Sequence, residues 1–152
     1  MGEYKFLSDT ALTTVIDDDA TLATDTRAAG DYDNSTERDL ECDVYLQVQY
    51  DSGPPSVDDE IAQLWVLPGD GEASETFPEG GDAGLGTDDD PQDLFYVGSF
   101  TSVNPSLTVD EVLCISAVPL RPHGNRFVLK NVSGQTFDST WELRIKPSKF
   151  QY

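Results

Sequence analysis

The sequence predicts an all-β fold: a single-domain antiparallel β-sandwich, jelly-roll-like, with a short N-terminal arm. Three observations predict it. Apolar residues recur at period two in several segments. No segment carries a sustained apolar stripe at helical spacing. Clusters of Gly, Pro, Asp and Asn separate some seven or eight short β-favouring runs. The 152 residues suit one domain, long enough to bury roughly 68–70% of the unfolded surface. Residues 1–10 read as the arm and 11–152 as the sandwich, with 68–91 as a long acidic, Gly-rich surface loop.

Residues 12–16 and 21–26 are Thr-rich and β-favouring, broken by Asp17-Asp18-Asp19. From Leu40 to Tyr50 the even positions are apolar and the odd ones polar, apart from Tyr45. Successive side chains of a strand point to opposite faces, so this segment has one wet face and one core face. Residues 61–67 form a short apolar run stopped by Pro68-Gly69-Asp70-Gly71. Residues 94–100 are aromatic-rich and follow Asp90-Pro91. Residues 109–118 place Val109, Leu113, Ile115 and Ala117 on one side. Residues 127–132 and 141–145 are two further runs, expected to pair as a hairpin with an irregular connection. Loop 68–91 holds six Gly and eight acidic residues, with Phe77 and Leu85 as its large apolar residues. It is expected to bury little and to face solvent.

Charge narrows the partners. Nine Lys and Arg stand against 29 Asp and Glu, a formal charge of −20. Such a surface repels a nucleic-acid backbone or an anionic membrane. The charge is uneven: residues 1–118 carry −24 and residues 119–152 carry +4. Two compatible readings follow. Either a basic C-terminal hairpin neutralises the acidic sheet beside it, or a basic edge docks on an acidic partner or sibling subunit. No apolar stretch of signal-peptide or membrane-spanning length is present, so neither export by a Sec signal nor a membrane span is expected. Gly2 does not start a myristoylation motif, because position 6 is Phe6. Asn34-Ser35-Thr36 and Asn131-Val132-Ser133 match the glycosylation sequon and read as chance matches without a secretory route. Cys42 and Cys114 fall in apolar strand patterns and read as small buried thiols rather than a disulfide.

Chemical sites are thin. One His and two Cys do not make a His/Cys zinc site. Asp17-Asp18-Asp19 and Asp88-Asp89-Asp90 lack the alternating ligands, central Gly and distal Glu of a calcium loop, and read as solvated turns. His123 sits in the turn Arg121-Pro122-His123-Gly124, with no Gly-x-Ser-x-Gly elbow to make a triad. Gly80-Gly81-Asp82-Ala83-Gly84 has no following Lys and would repel phosphate. With 29 acidic residues a carboxylate pair for glycoside hydrolysis is not removed by counting, but no cleft-forming insertion accompanies it. Trp65, Trp141 and Tyr45 would make a sugar platform only if they shared one face. Each tryptophan lies inside an apolar run, which favours core positions for both.

Val118-Pro119-Leu120-Arg121-Pro122, followed by Asn125-Arg126-Phe127-Val128-Leu129-Lys130-Asn131-Val132-Ser133-Gly134-Gln135, resembles a pattern of small virion proteins of tailed bacteriophages. In these a strand ends in a Pro-rich turn, then come an apolar strand, an Asn-x-(Ser/Thr)-Gly turn and a closing strand. Upstream, Asp33-Asn34-Ser35-Thr36 is similar to their Asp-Asn-(Ser/Thr) lead-in, and Asp93-Leu94-Phe95-Tyr96-Val97-Gly98 keeps their order. The resemblance spans most of residues 12–146 as an order of elements carrying short motifs. The chain departs from the pattern in its acidity and in its charge-rich loop 68–91.

The resemblance implies a non-enzymatic capsid decoration or cement protein, without cofactor or metal, made in the host cytoplasm and carried on the virion surface. Its implied partners are the major capsid protein and copies of itself, as a homotrimer, with no nucleic acid and no membrane. Lys5, Phe6, Arg126, Lys130, Arg144, Lys146 and Phe150 are the candidate contacts. The alternative is a carbohydrate-binding or receptor-contact sandwich module of a head fibre or tail.

Overall fold

The alternating segment around residues 40–50 is the spine of one sheet in the computed structural model, which describes residues 12–17, 20–71, 77–78 and 90–148. Cys42, Val44, Leu46 and Val48 are fully buried, while Asp43 and Tyr45 between them are half-exposed. Eight strands form among the described residues: β1 (Thr13–Ile16), β2 (Arg27–Asp33), β3 (Glu41–Val48), β4 (Glu60–Pro68), β5 (Tyr96–Thr101), β6 (Glu111–Pro119), β7 (Gly124–Asn131) and β8 (Glu142–Ser148). A short 3-10 turn, Asp93–Phe95, leads into β5.

Two antiparallel four-stranded sheets result, ordered β1-β8-β3-β6 and β2-β7-β4-β5. Every connection except β4–β5 passes from one sheet to the other. Eight strands in this order make a jelly roll. The register places Asp33 opposite Gly124 and Glu41 opposite both Pro119 and Ser148. The described residues of connections 17–26, 49–59, 102–110 and 132–141 therefore gather at one pole. Connections 34–40 and 120–123 and residues 69–71 gather at the other.

The core lies between the inner faces. Leu64 and Val66 of β4 and Phe127 and Leu129 of β7 face Leu46, Leu143 and Ile145. An aromatic plug closes the first pole. Tyr50 packs edge-on to Phe137 at 5.8 Å, Phe137 lies 6.3 Å from Trp141, and Trp141 Nε1 donates to the Ala20 carbonyl at 2.9 Å.

The edges of the two sheets meet where β1 crosses β2. A Cβ built on Gly30 would stand 1.7 Å from the Val15 carbonyl oxygen, so only glycine admits this approach. That requirement explains a strand missing from the sequence reading. Residues 21–26 are not a strand; Leu22 alone bridges to Phe137, and the strand is Arg27–Asp33. Its Ala-Ala-Gly-Asp stretch has little β preference, and tertiary pairing with β7 imposes the conformation.

Two further expectations are corrected. β7 and β8 are not a hairpin: β7 pairs with β2 and β4, and β8 with β1 and β3, in the opposite sheet. The alternation expected over 109–118 breaks at a bulge, where Ala117 adopts φ 58° and its N–H donates to Asp43 Oδ1 at 3.1 Å. Glu111 and Leu113 point inward before it and Val118 after it, leaving Val109 and Ala117 exposed. Cys114 falls on the outer face and is exposed; only Cys42 is a buried thiol, and both are free. Burial first, then Asp43 and other nearby acids, push the Cys42 thiol up to about 12.

Candidate functional site

Three surfaces could meet a partner: the outer face of each sheet and the first pole. The outer face of β2-β7-β4-β5 holds Arg27 and Asp31 of β2, Arg126, Val128 and Lys130 of β7, and Trp65 and Leu67 of β4. It is not bare. Trp65, Leu67 and Val128 form a second apolar cluster against which Ala29, Phe77 and Phe95 pack. Phe77 lies over the Arg126 guanidinium, 4.1 Å from carbon to ring centre, and Tyr96 meets Trp65 edge-on at 5.6 Å. Asp90 binds Lys130 at 2.8 Å and stands 3.9 Å from Arg27. The expectation that loop 68–91 buries little is therefore corrected for Phe77, which packs on this sheet, while Asp90 reaches it through an ion pair and stays exposed. Leu85 falls outside the described residues. Apolar cover and opposite charge act together here, because Phe77 and Asp90 meet a sheet face that is both greasy and cationic.

The outer face of β1-β8-β3-β6 carries Tyr45 and Asp43 of β3 opposite Arg144 and Lys146 of β8. Arg144 Nε donates to Glu142. The expected contact residues are thus not brought together. Arg126 and Lys130 lie on one face of the sandwich, in ion pairs with Asp31 and Asp90, and Arg144 and Lys146 lie on the other. Lys5, Phe6 and Phe150 fall outside the described residues. The aromatic platform does not assemble either: Trp141 is in the main core, Trp65 under the loop, and Tyr45 on the opposite sheet.

The asparagines of the short motifs are structural. Asn34 is fully buried; its Nδ2 donates to the Asp39 and Arg121 carbonyls, each at 2.7 Å, and its Oδ1 accepts from the Asp39 N–H at 2.8 Å. Asn125 closes turn 121–124 through the Arg121 N–H and the Arg121 and His123 carbonyls. Asn131 ties Leu22 to Gln135 at the first pole and accepts from both the N–H and the hydroxyl of Ser133. Neither sequon asparagine offers a free amide in the fold. Asp33 accepts from Ser35 at 2.8 Å, which holds its carboxyl below the usual range.

Sequence reasoning missed the first pole. Its apolar residues are Val57, Val103, Leu107 and Val109, exposed by 56%, 68%, 44% and 61%. They come from two connections joined by reciprocal bonds: the Asp58 N–H donates to the Ser102 carbonyl and the Ser102 N–H to the Asp59 carbonyl. The 102–110 loop is held from within. Glu111, itself buried, accepts from the Ser102 hydroxyl and from the N–H groups of Val103 and Asn104. Ser106 Oγ accepts from the Thr108 and Val109 N–H groups. Gln49 Nε2 donates to the Leu107 carbonyl and Gln47 Nε2 to Asp110 at 2.9 Å. Partial burial, then Asp138 and Glu142, push the Asp110 carboxyl above its usual range. No scan of a single segment finds this pole, because only the topology gathers its loops.

The fold and these surfaces define a jelly-roll protein with stapled loops and one apolar-tipped pole. Among the described residues no group of three His, Cys, Asp or Glu is placed to hold a metal ion. The chain matches no protein-family model, no curated protein and no solved structure.

Proposed function

We propose that the chain is a non-enzymatic structural protein of a tailed-phage particle, a decoration or cement protein that binds the major capsid protein and stabilises the shell. The observation that carries this reading is the role of the motif residues. Asn34, Asn125 and Asn131, which carry the resemblance in sequence, are the buried staples that fix loops at the two poles of a jelly roll. A resemblance located in such residues speaks for shared architecture, and a rigid sandwich with pinned loops suits a clamp whose weak contacts multiply over a repeating lattice.

The test is direct. Purified chain mixed with undecorated shells is expected to bind stoichiometrically and raise the shell's melting temperature; shells that sediment without it, and melt unchanged, refute the reading. A receptor-contact role is favoured by a single feature, exposed Leu94 and Tyr96 beside Trp65 at the edge of the second sheet. A glycan array answered by the native chain and silenced by Tyr96→Ala would favour that reading instead.

A further inference from the structure

We infer that the pole built from residues 49–59 and 102–110 is a preformed docking tip for a protein surface with an apolar hollow rimmed by Lys and Arg. Two independent observations point to that occupant. The first is apolar: Val57, Val103, Leu107 and Val109 stand exposed on connections whose backbones are already fixed. Seven hydrogen bonds hold the 102–110 loop to itself, to Glu111, to Gln47 of β3 or to Gln49 of the neighbouring connection. Exposed apolar groups on a rigid loop bind with little ordering cost, so their contact area appears as affinity.

The second observation is charge. The described residues of the four connections at this pole, 17–26, 49–59, 102–110 and 132–141, include seven Asp and no Lys, Arg or Glu. Asp51, Asp58, Asp59 and Asp110 are exposed on the same two connections that carry the apolar residues. The tip therefore presents grease ringed by carboxylates, and its complement is a greasy hollow ringed by cations. Two such poles face to face would juxtapose like charges, so a symmetric pairing of two tips does not fit. That the partner is a capsid shell rests on the proposed function; the tip and its chemistry do not.

The experiment has two arms, both with the full chain. The first follows backbone amide shifts during titration with hexyltrimethylammonium, a small cation with an apolar tail, and with tetramethylammonium as the charge-only control. Shifts are expected to concentrate in residues 56–59 and 102–110, with at least tenfold weaker response to the control. Replacing Val103→Ser, Leu107→Ser and Val109→Ser together should abolish that preference while the thermal midpoint holds. Shifts spread over the acidic surface, equal responses to the two cations, or an unaffected triple variant would overturn the inference. The second arm is sedimentation with undecorated shells, with Leu94→Ser as an exposed apolar control remote from the tip. Binding weakened at least tenfold by the triple variant alone supports the tip. Equal binding by native and triple-variant chains overturns it and leaves the cement reading standing. Absence of native binding, with the titration still focused on the tip, removes the cement reading and leaves the tip.

Discussion

Asn34 offers the sharpest test of the claim that buried amides hold the loops. Replacing it with Ala removes two donors and one acceptor from a fully buried site. The Arg121 carbonyl keeps a second donor in Asn125 Nδ2 at 3.0 Å, so it is not orphaned. The Asp39 N–H and carbonyl lose this partner, in a residue that is itself buried. Two unsatisfied buried groups at roughly 1–3 kcal/mol each give an expected loss of about 2–6 kcal/mol. For a chain of this size, at about 2–4 °C per kcal/mol, that is a fall of roughly 4–24 °C in Tm. Asn34→Asp separates hydrogen bonding from mere space-filling. It keeps the acceptor for the Asp39 N–H but aims a carboxylate oxygen at two carbonyls 2.7 Å away. At pH 7 Asp should therefore be worse than Ala, and it should recover as acid protonates it and restores one donor. Urea titrations of the three proteins at pH 7 and pH 4 read both effects. An Ala variant within about 1 kcal/mol of the native chain, or an Asp variant insensitive to pH, would refute the staple argument.

Three further outcomes follow from the same geometry. Gly30→Ala drives a Cβ into the Val15 carbonyl; it should cost at least about 2–3 kcal/mol and strip hydrogen-exchange protection from β1 before any other strand. Asp110→Asn keeps an acceptor for Gln47 and removes a carboxylate whose pKa is raised by partial burial and by Asp138 and Glu142. A carboxyl with a raised folded pKa destabilises when ionised, so the variant should melt higher than the native chain at pH 7, and the gain should vanish as pH falls through that raised pKa. Native protein should titrate one thiol with Ellman's reagent, Cys114, and a second only on unfolding, because Cys42 is fully buried and its thiol is pushed up to about 12.

Legibility in the sequence followed whether an element's environment is local. β3 could be read residue by residue because one face is wet and the other is core, so the alternation is the structure. β4 and β7 were legible as apolar runs, although the reason they are apolar on both faces, the cover of Phe77 and Phe95, lies elsewhere in the chain. β2 was not legible, since Gly30 serves a contact with Val15 that no local rule anticipates. The phase of β6 was lost at Ala117, where one extra residue turns the following side chains to the other face. Burial of both tryptophans was foreseen, but not that they sit on opposite sides of one sheet. The tip lay beyond the sequence for a topological reason: its apolar residues sit on two loops 46 residues apart.

The charge asymmetry along the chain acquires a physical meaning once β7 and β8 are seen as inner strands. Each basic strand lies between two strands that bear acids or is reached by one: Arg126 binds Asp31 across to β2, Lys130 binds Asp90, and Lys146 sits opposite Asp43 of β3. Neutralisation of Arg126 and Lys130 is therefore local to the sheet face, and the intramolecular reading of the basic segment holds for these two. The same arrangement leaves no cation among the described residues of the connections at the first pole. Its field is screened over about 8 Å at physiological ionic strength, so it steers a partner only over the last stretch of its approach. Orientation alone gives little affinity when exposed charges pair in water. Binding strength at that pole must then come from the four apolar side chains, and salt should change the rate of association more than the rate of release.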